Sequence, residues 1–370
     1  FGVSIGMTGW VFAGVAALAA QVSEGARTAR GVGLALVGAS FLARVIANAS
    51  DALAGAVWAT PVGWAQRLRP FAGEVWWVAA LAVAVAGALL ASAWRVAAVR
   101  DVGAGLVPTR RGPSSASPFF RTPFALAWRL QRGMWLAWAA TFASFGLLVG
   151  GVTPGLADLV RDSDELRDMF ERLGGPGLIT DSFLAGVAGM YGLAAAAYAV
   201  QATLRLRDEE ENLRAELVLA TAVSRARWIG SHVAIAALGP AALLVVVGLA
   251  TGVTYGLGAG DLTGELPRVL GAALVQLPGV WVFAGGALAL FGWAPRWSEL
   301  SWTAVGAAFI LTFVGTILQL SQWILDLSPF THLPTLPAGS FSATPLIWLS
   351  LVAAALGVAG WTGGLRRDIA

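Results

Sequence analysis

No cysteine and no lysine occur in this 370-residue sequence, histidine occurs only twice, and charged residues make up 12% of it. Each shortage closes off some chemistry. Without cysteine there are neither disulfides nor thiolate metal sites, and His232 and His332 are too few for a histidine metal site, which leaves capping or packing as their role. Without lysine the phosphate-binding G-x-x-x-x-G-K-[ST] loop cannot exist, and Schiff-base chemistry is excluded as well. Any nucleotide hydrolysis therefore belongs to another polypeptide. No nucleic-acid-binding motif is present, and the pI of about 10.1 comes from arginines flanking apolar runs, not from a basic groove. Gly2-Val3-Ser4-Ile5-Gly6 fits G-x-S-x-G but sits in an apolar run with no acid placed to orient a histidine. Asn48-Ala49-Ser50 matches a glycosylation acceptor only formally, at the end of such a run.

Apolar residues make up 57% of the chain, with 17 Trp and 46 Gly, and the mean hydropathy is +0.73. These values point to an all-α polytopic membrane protein. Nine runs near 3–21, 31–50, 75–99, 133–152, 182–203, 231–257, 269–292, 301–325 and 345–363 are each about 18 to 27 residues long, enough to span a bilayer. The first begins directly after Phe1 with no charged n-region or cleavage site, as in a chain cut from a longer one. The linker from Arg95 to Arg132 carries seven arginines around a Pro/Ser-rich core, and Arg366 and Arg367 close the chain. Both read as cytoplasmic, which places the C-terminus on the cytoplasmic side of the membrane. Alternation then puts 204–230 inside and 153–181, 258–268 and 326–344 outside. Segment 158–173 reads as an external surface helix, either a solvated lid or a selective gate.

Trp10-Val11-Phe12-Ala13-Gly14 recurs as Trp281-Val282-Phe283-Ala284-Gly285. Each copy is followed by a span, a Pro-rich external turn, another span and a basic exit. The ordered set predicts two parallel six-helix repeats, with roughly 150 residues and three spans preceding Phe1, hence twelve spans in all. The domain reading is 1–105 for the last three helices of the first half, 106–123 for a cytoplasmic linker, and 124–370 for a complete second half.

Ten of the 45 charged residues fall within the 29 positions 204–232. Leu206, Leu213, Leu217 and Ala220 recur at helical spacing there, and Arg207/Glu211 and Glu210/Arg214 are i,i+4 pairs. The expectation is one amphipathic helix over 204–230, lying on the membrane surface with one face offered to water or a partner. The duller alternative is a surface anchor. Within the spans, Arg44 is costly in hydrocarbon and calls for either a structural partner or a role in transport. Met190, Tyr191, Trp281 and Phe283 could line an apolar path or simply pack. Gly146/Gly150, Gly252/Gly256 and Gly256/Gly260 have the spacing of close helix contacts, and Pro240 and Pro278 are expected to kink their helices.

At 207–228 the sequence resembles the signature loop of permease subunits of ATP-binding-cassette exporters credited with polyketide antibiotic export, the tetronasin-resistance type. The pattern falls on Glu209, Glu210, Arg214, Ala215, Glu216, Leu219, Ala220, Thr221, Val223, Ser224, Arg225, Arg227 and Trp228. A Gly usually precedes the Arg where this chain has Leu213, and a Pro often follows the Thr where it has Ala222. The SPF…LP turn at 328–337 and the RRDI exit are also similar. The resemblance implies an ABC-2-like exporter permease of twelve spans acting as a fused pseudo-dimer on amphipathic compounds. Two copies of a separate ATPase subunit would dock on it, carrying ATP and Mg, with no cofactor on this chain. Glu209, Glu210, Arg214, Glu216, Arg225 and Arg227 would form the coupling surface. The competing classes are an ion-coupled secondary transporter, disfavoured because spans other than that of Arg44 lack buried acids or histidines, a lipid-handling membrane protein, and a membrane-embedded enzyme.

Overall fold

The structure, a computed structural model, describes residues 2–48, 55, 57–69, 73–99, 115, 122–161, 177–315 and 318–367. The expected surface helix 158–173 and most of the linker 106–123 lie outside the described residues, apart from the few positions that extend a helix as far as Arg161. The chain divides into two compact units, Phe1–Ser115 and Ala116–Ala370. Both are helical, with no strand among the described residues. Eight helices are long and apolar enough to cross a membrane, again among the described residues.

The first unit contains α1 (Gly2–Val22), α2 (Ala26–Asn48), α3 (Pro61–Arg67) and α4 (Trp76–Val99). Met7 and Val11 of α1 pack on Val78, Ala82 and Ala86 of α4, and Leu68 closes the cluster below. Short side chains let the two helices approach: a Cβ on Gly14 would meet Leu89 Cβ at 2.9 Å and the Ala86 carbonyl at 3.3 Å. Helix α3 starts where Thr60 Oγ1 accepts a 3.1 Å hydrogen bond from the Gly63 amide, with Pro61 in the first turn. The expected span 31–50 falls on α2, where the apolar stretch found among the described residues is Thr28–Phe41, and this helix is not one of the eight.

The second unit contains α5 (Pro123–Arg161), α6 (Gly177–Glu211), α7 (Arg214–Leu219), α8 (Arg225–Ala259), α9 (Leu262–Leu274), α10 (Leu277–Trp293), α11 (Leu300–Phe309), α12 (Gln322–Leu325) and α13 (Ala343–Arg366). Helix α6 is its axis and touches α5, α8, α9, α10 and α11. Ala195, Ala196, Tyr198, Ala199, Val200 and Ala202 are sealed from solvent, and it is the alanines that admit neighbours on every side. Indole donors tie the bundle across helices. Trp135 Nε1 reaches the Gly239 carbonyl at 3.2 Å, Trp138 Nε1 the Gln201 Oε1 at 2.9 Å, and Trp281 Nε1 the Ala237 carbonyl at 3.0 Å. These bonds satisfy polar atoms that lipid cannot.

Gly146 and Gly150 of α5 rest on α8 at Val247–Thr251 and Thr251–Tyr255, while Gly248, Gly252 and Gly256 of α8 receive Leu270, Leu266 and Leu262 of α9. Gly260 serves differently, ending α8 in the left-handed conformation at φ 76°. Pro240 lies within α8, which runs on through it, and Pro278 stands in the first turn of α10. The interruption that was expected at Pro278 falls just before it, at Val275–Gln276. The expected span 301–325 also ends early. Helix α11 widens into a π-turn over Ile310–Val314, and Gln319 turns left-handed at φ 51°.

Helices α10 and α13 run parallel, because Gly285 meets Ala353–Leu356 while Gly292 meets Gly360 and Gly364. A Cβ on Gly285 would stand 2.8 Å from the Ala353 carbonyl and 3.0 Å from Leu356 Cβ. Gly14 thus meets an alanine carbonyl and a leucine Cβ three residues further on, and so does Gly285. The final residue of each repeated pentapeptide makes the same contact inside its own unit.

Candidate functional site

The charged stretch lies where α6 ends and α8 begins. It is not the single helix expected over 204–230 but a helix end, a tight turn, the six-residue α7, a second turn and a helix start. Asn212 Nδ2 donates to the Asp208 carbonyl at 2.7 Å and the Leu213 amide to the Glu210 carbonyl at 2.9 Å, closing the last turn of α6. Leu213 then adopts φ 57°, ψ 18°, and the left-handed residue turns the chain sharply. Ser224 caps α8, its Oγ accepting from the Arg227 amide at 3.4 Å.

The loop is seated, not free. Ala215 is buried, and Val218, Leu219 and Val223 pack on a cluster of Leu206, Trp228, Ile229, Leu288 and Phe291. Its other face is open: Leu217 is 75% exposed and Leu213 58%, with Arg214, Glu216, Ala220, Thr221 and Arg227 exposed beside them. Arg207 and Glu211 form their i,i+4 pair at 2.7 Å. Glu210 instead meets Arg367, because the turn at Leu213 carries Arg214 away from the axis of α6.

The two adjacent acids point inward. Glu209, only 3% exposed, lies 3.4 Å from His232 Nε2, accepts from Trp228 Nε1 at 3.4 Å, and has Arg205 Nε at 3.6 Å. His232, 1% exposed, presents its other nitrogen, Nδ1, to Gln131 Nε2 at 3.1 Å. Three helices, α5, α6 and α8, thus meet on one imidazole. Glu210 takes both oxygens to Arg367 Nη2, whose guanidinium also covers the Phe291 ring at 4.4 Å. Arg225 Nη1 donates to the carbonyls of Leu365 and Arg367. The end of α13 and Arg367 just after it are therefore fastened to the ends of α6 and α8. Of the six coupling candidates, Arg214, Glu216 and Arg227 stand on the open face, whereas Glu209, Glu210 and Arg225 hold the loop to the bundle. The expectation that only Arg44 is an ionisable residue buried among the spans does not hold, since Glu209 and His232 are both enclosed.

The path candidates scatter. Arg44 lies beside Gln66, whose amide oxygen faces Arg44 Nη2 and Nε at 2.9 and 3.0 Å once the amide is oriented to satisfy both. Tyr191 is buried with its hydroxyl 2.8 Å from Thr251 Oγ1, and Phe283 stacks on Phe330 at 5.8 Å. Met190 is exposed. Trp281 lines an apolar cleft of about 280 Å³ between α6, α8, α10 and α13 that also includes Ala237, Leu288 and Gly357, and the other four are not among its lining residues. Thr203 and Ser350 are its hydroxyls, and each donates to a carbonyl of its own helix.

Glu210 and Arg367 yield a prediction. Arg367→Glu is expected to raise sensitivity to limited proteolysis at 212–224, and adding Glu210→Arg should restore protection in part. A double variant no better protected than the single one would show that the pair does not hold the loop.

A bundle of apolar helices with interhelical indole bonds, close glycine contacts and a charged loop mounted on α6 and α8 defines a multi-pass membrane protein. Residues 120–363 match the family of the multidrug efflux system permease Rv1217c, C-terminal domain. Over 369 residues the chain is 43% identical to the multidrug efflux system permease protein Rv1217c of Mycobacterium tuberculosis (strain ATCC 25618 / H37Rv), covering 100% of this chain and 67% of that protein. The chain belongs to this permease family.

Proposed function

We propose that this chain is the membrane subunit of an ATP-driven exporter that moves amphipathic drug-like compounds, polyketides of the tetronasin-resistance type among them, out of the cell across the bacterial plasma membrane. The observation that carries the reading is the open face of 213–222, a leucine and charge surface braced against α6 and α8. A nucleotide-driven machine requires such a contact, because a partner shifts the membrane domain only through interactions that differ between its states. The absence of lysine assigns ATP and Mg to a separate ATPase. The relative's description as a multidrug efflux permease agrees with export of varied compounds. In this reading the loop and the C-terminus face the cytoplasm, and the equivalent contacts of Gly14 and Gly285 support two parallel repeats of six spans. Two repeats would offer two docking surfaces and take two ATPase copies.

The test is Arg214→Glu. The Glu210/Arg214 pair is not made, so nothing within the fold is lost, and the variant should insert and melt like wild type. Losing an interfacial charge pair costs about 2–5 kcal/mol, roughly thirty-fold or more in partner affinity. ATPase stimulation by the reconstituted permease should fall accordingly. Wild-type stimulation in this variant would leave the loop a surface anchor.

A further inference from the structure

We propose that Gln131, His232 and Glu209 form a proton-binding site, and that its occupancy sets how firmly α6 and α8 are held together behind the exposed loop. The geometry fits two protonation states equally well. With His232 neutral, Nε2–H faces Glu209 and Nδ1 accepts from Gln131 Nε2, in the arrangement described above. Gln131 Oε1 is buried and has no hydrogen-bond partner. A half-turn of the amide therefore breaks no other bond and presents an acceptor to Nδ1. When hydronium delivers a proton, an N–H bond forms at Nδ1, water is released, and Gln131 Oε1 accepts the new hydrogen. A hydrophobic residue at 131 would serve neither state, and a hydroxyl would not span the gap.

The imidazolium would face an ionised Glu209 at 3.4 Å in a site almost closed to water. Charge pairing there is far stronger than at a surface. The other charges around it are accounted for. Arg205 of α6 stands 3.6 Å from Glu209 and 3.7 Å from Asp208, which shares its charge. Arg129 and Arg132 flank Gln131 on α5, and Arg225 and Arg227 begin α8, Arg225 being engaged by the carbonyls of 365 and 367. On the sides of α10 and α13, Phe291 intervenes and Arg367 is committed to Glu210. The carboxylate that faces His232 is thus Glu209. Trp228, whose ring lies 5.8 Å from the imidazole, adds its N–H to the same carboxylate.

Protonation favours the arrangement in which α6 and α8 are joined at the loop. Any working cycle that parts them there should slow as the loop side acidifies; this consequence rests on the exporter reading, whereas the proton site itself does not.

The experiment separates the two. The full-length permease is labelled with 15N-histidine in lipid nanodiscs, with His332→Gln removing the other ring in this segment. The His232 ring nitrogens are then followed from pH 5 to 8.5, the range in which histidine ordinarily changes charge. The expected result is a change from one protonated nitrogen to two on acidification, lost over that range in Gln131→Leu and retained in Gln131→Glu. A ring that keeps one form throughout, or one that titrates identically in Gln131→Leu, would overturn the site. In the reconstituted complex, coupled ATP hydrolysis should fall several-fold toward pH 5.5 in wild type and lose that limb in Gln131→Leu. An unchanged limb, with the ring titration intact, would overturn the control of helix contact while leaving the exporter assignment standing.

Discussion

Glu209→Ala is expected to destabilise the purified protein by about 3–5 kcal/mol, the range seen when one partner of a buried charge pair is removed. The substitution strips the carboxylate shared by His232, Trp228 and Arg205 and leaves three donors facing a void. The loss falls on the junction of α5, α6 and α8, so the loop above should loosen first, and hydrogen exchange should rise over 205–232 before it rises elsewhere. Glu216→Ala, on the exposed face of α7, is the control and should stay within about 0.5 kcal/mol of wild type. Thermal unfolding in one detergent measures both. Equal melting temperatures for the two variants would mean that Glu209 carries no structural load.

Gly360→Val should be comparably severe. A Cβ at this position would fall on the Leu288 backbone, across the parallel contact of α10 and α13. Backbone cannot swing aside as a side chain can, so the helices must part, at about 1–3 kcal/mol for overpacking and more where packing along the seam is lost with it. Gly357→Val on the same helix is the comparison, because nothing lies within 4 Å of a Cβ there. A large drop in melting temperature for the first and little for the second is the expected outcome. Similar behaviour in both would indicate that the α10 and α13 seam is loose.

The long helices could be read from the sequence because apolar runs of this length leave lipid-embedded backbone one economical way to satisfy its polar groups. The expected single helix over 204–230 is instead the end of α6, a short α7 between two turns and the start of α8. Leu206, Leu213, Leu217 and Ala220 keep helical spacing, yet the left-handed Leu213 divides them, so Leu206 is buried while Leu213 and Leu217 face out. The signal lay in the resemblance itself, where glycine commonly occupies that position.

The acids were misread for a related reason. A run of four carboxylates reads as a solvated face, and composition does not say that the second and third turn inward to histidine and arginine. Trp228 and His232, one helical turn apart on α8, were a usable sign, since an indole N–H and an imidazole enclosed in a membrane bundle each need a hydrogen-bond partner, and here Glu209 faces both. Among the aromatics, nothing in residue type distinguishes Trp281, which lines the cleft, from Tyr191 and Phe283, which close the core.

Leu213 has a mechanical consequence. A side chain in the left-handed region sits in a narrow well about 1–2 kcal/mol above the ordinary helix, whereas glycine occupies a broad one at little steric cost. A glycine at this position would make the loop a swivel. Here leucine makes a stiff elbow, so a load applied at Leu217 would be spent less on bending the chain at residue 213 and more on displacing α6 and α8.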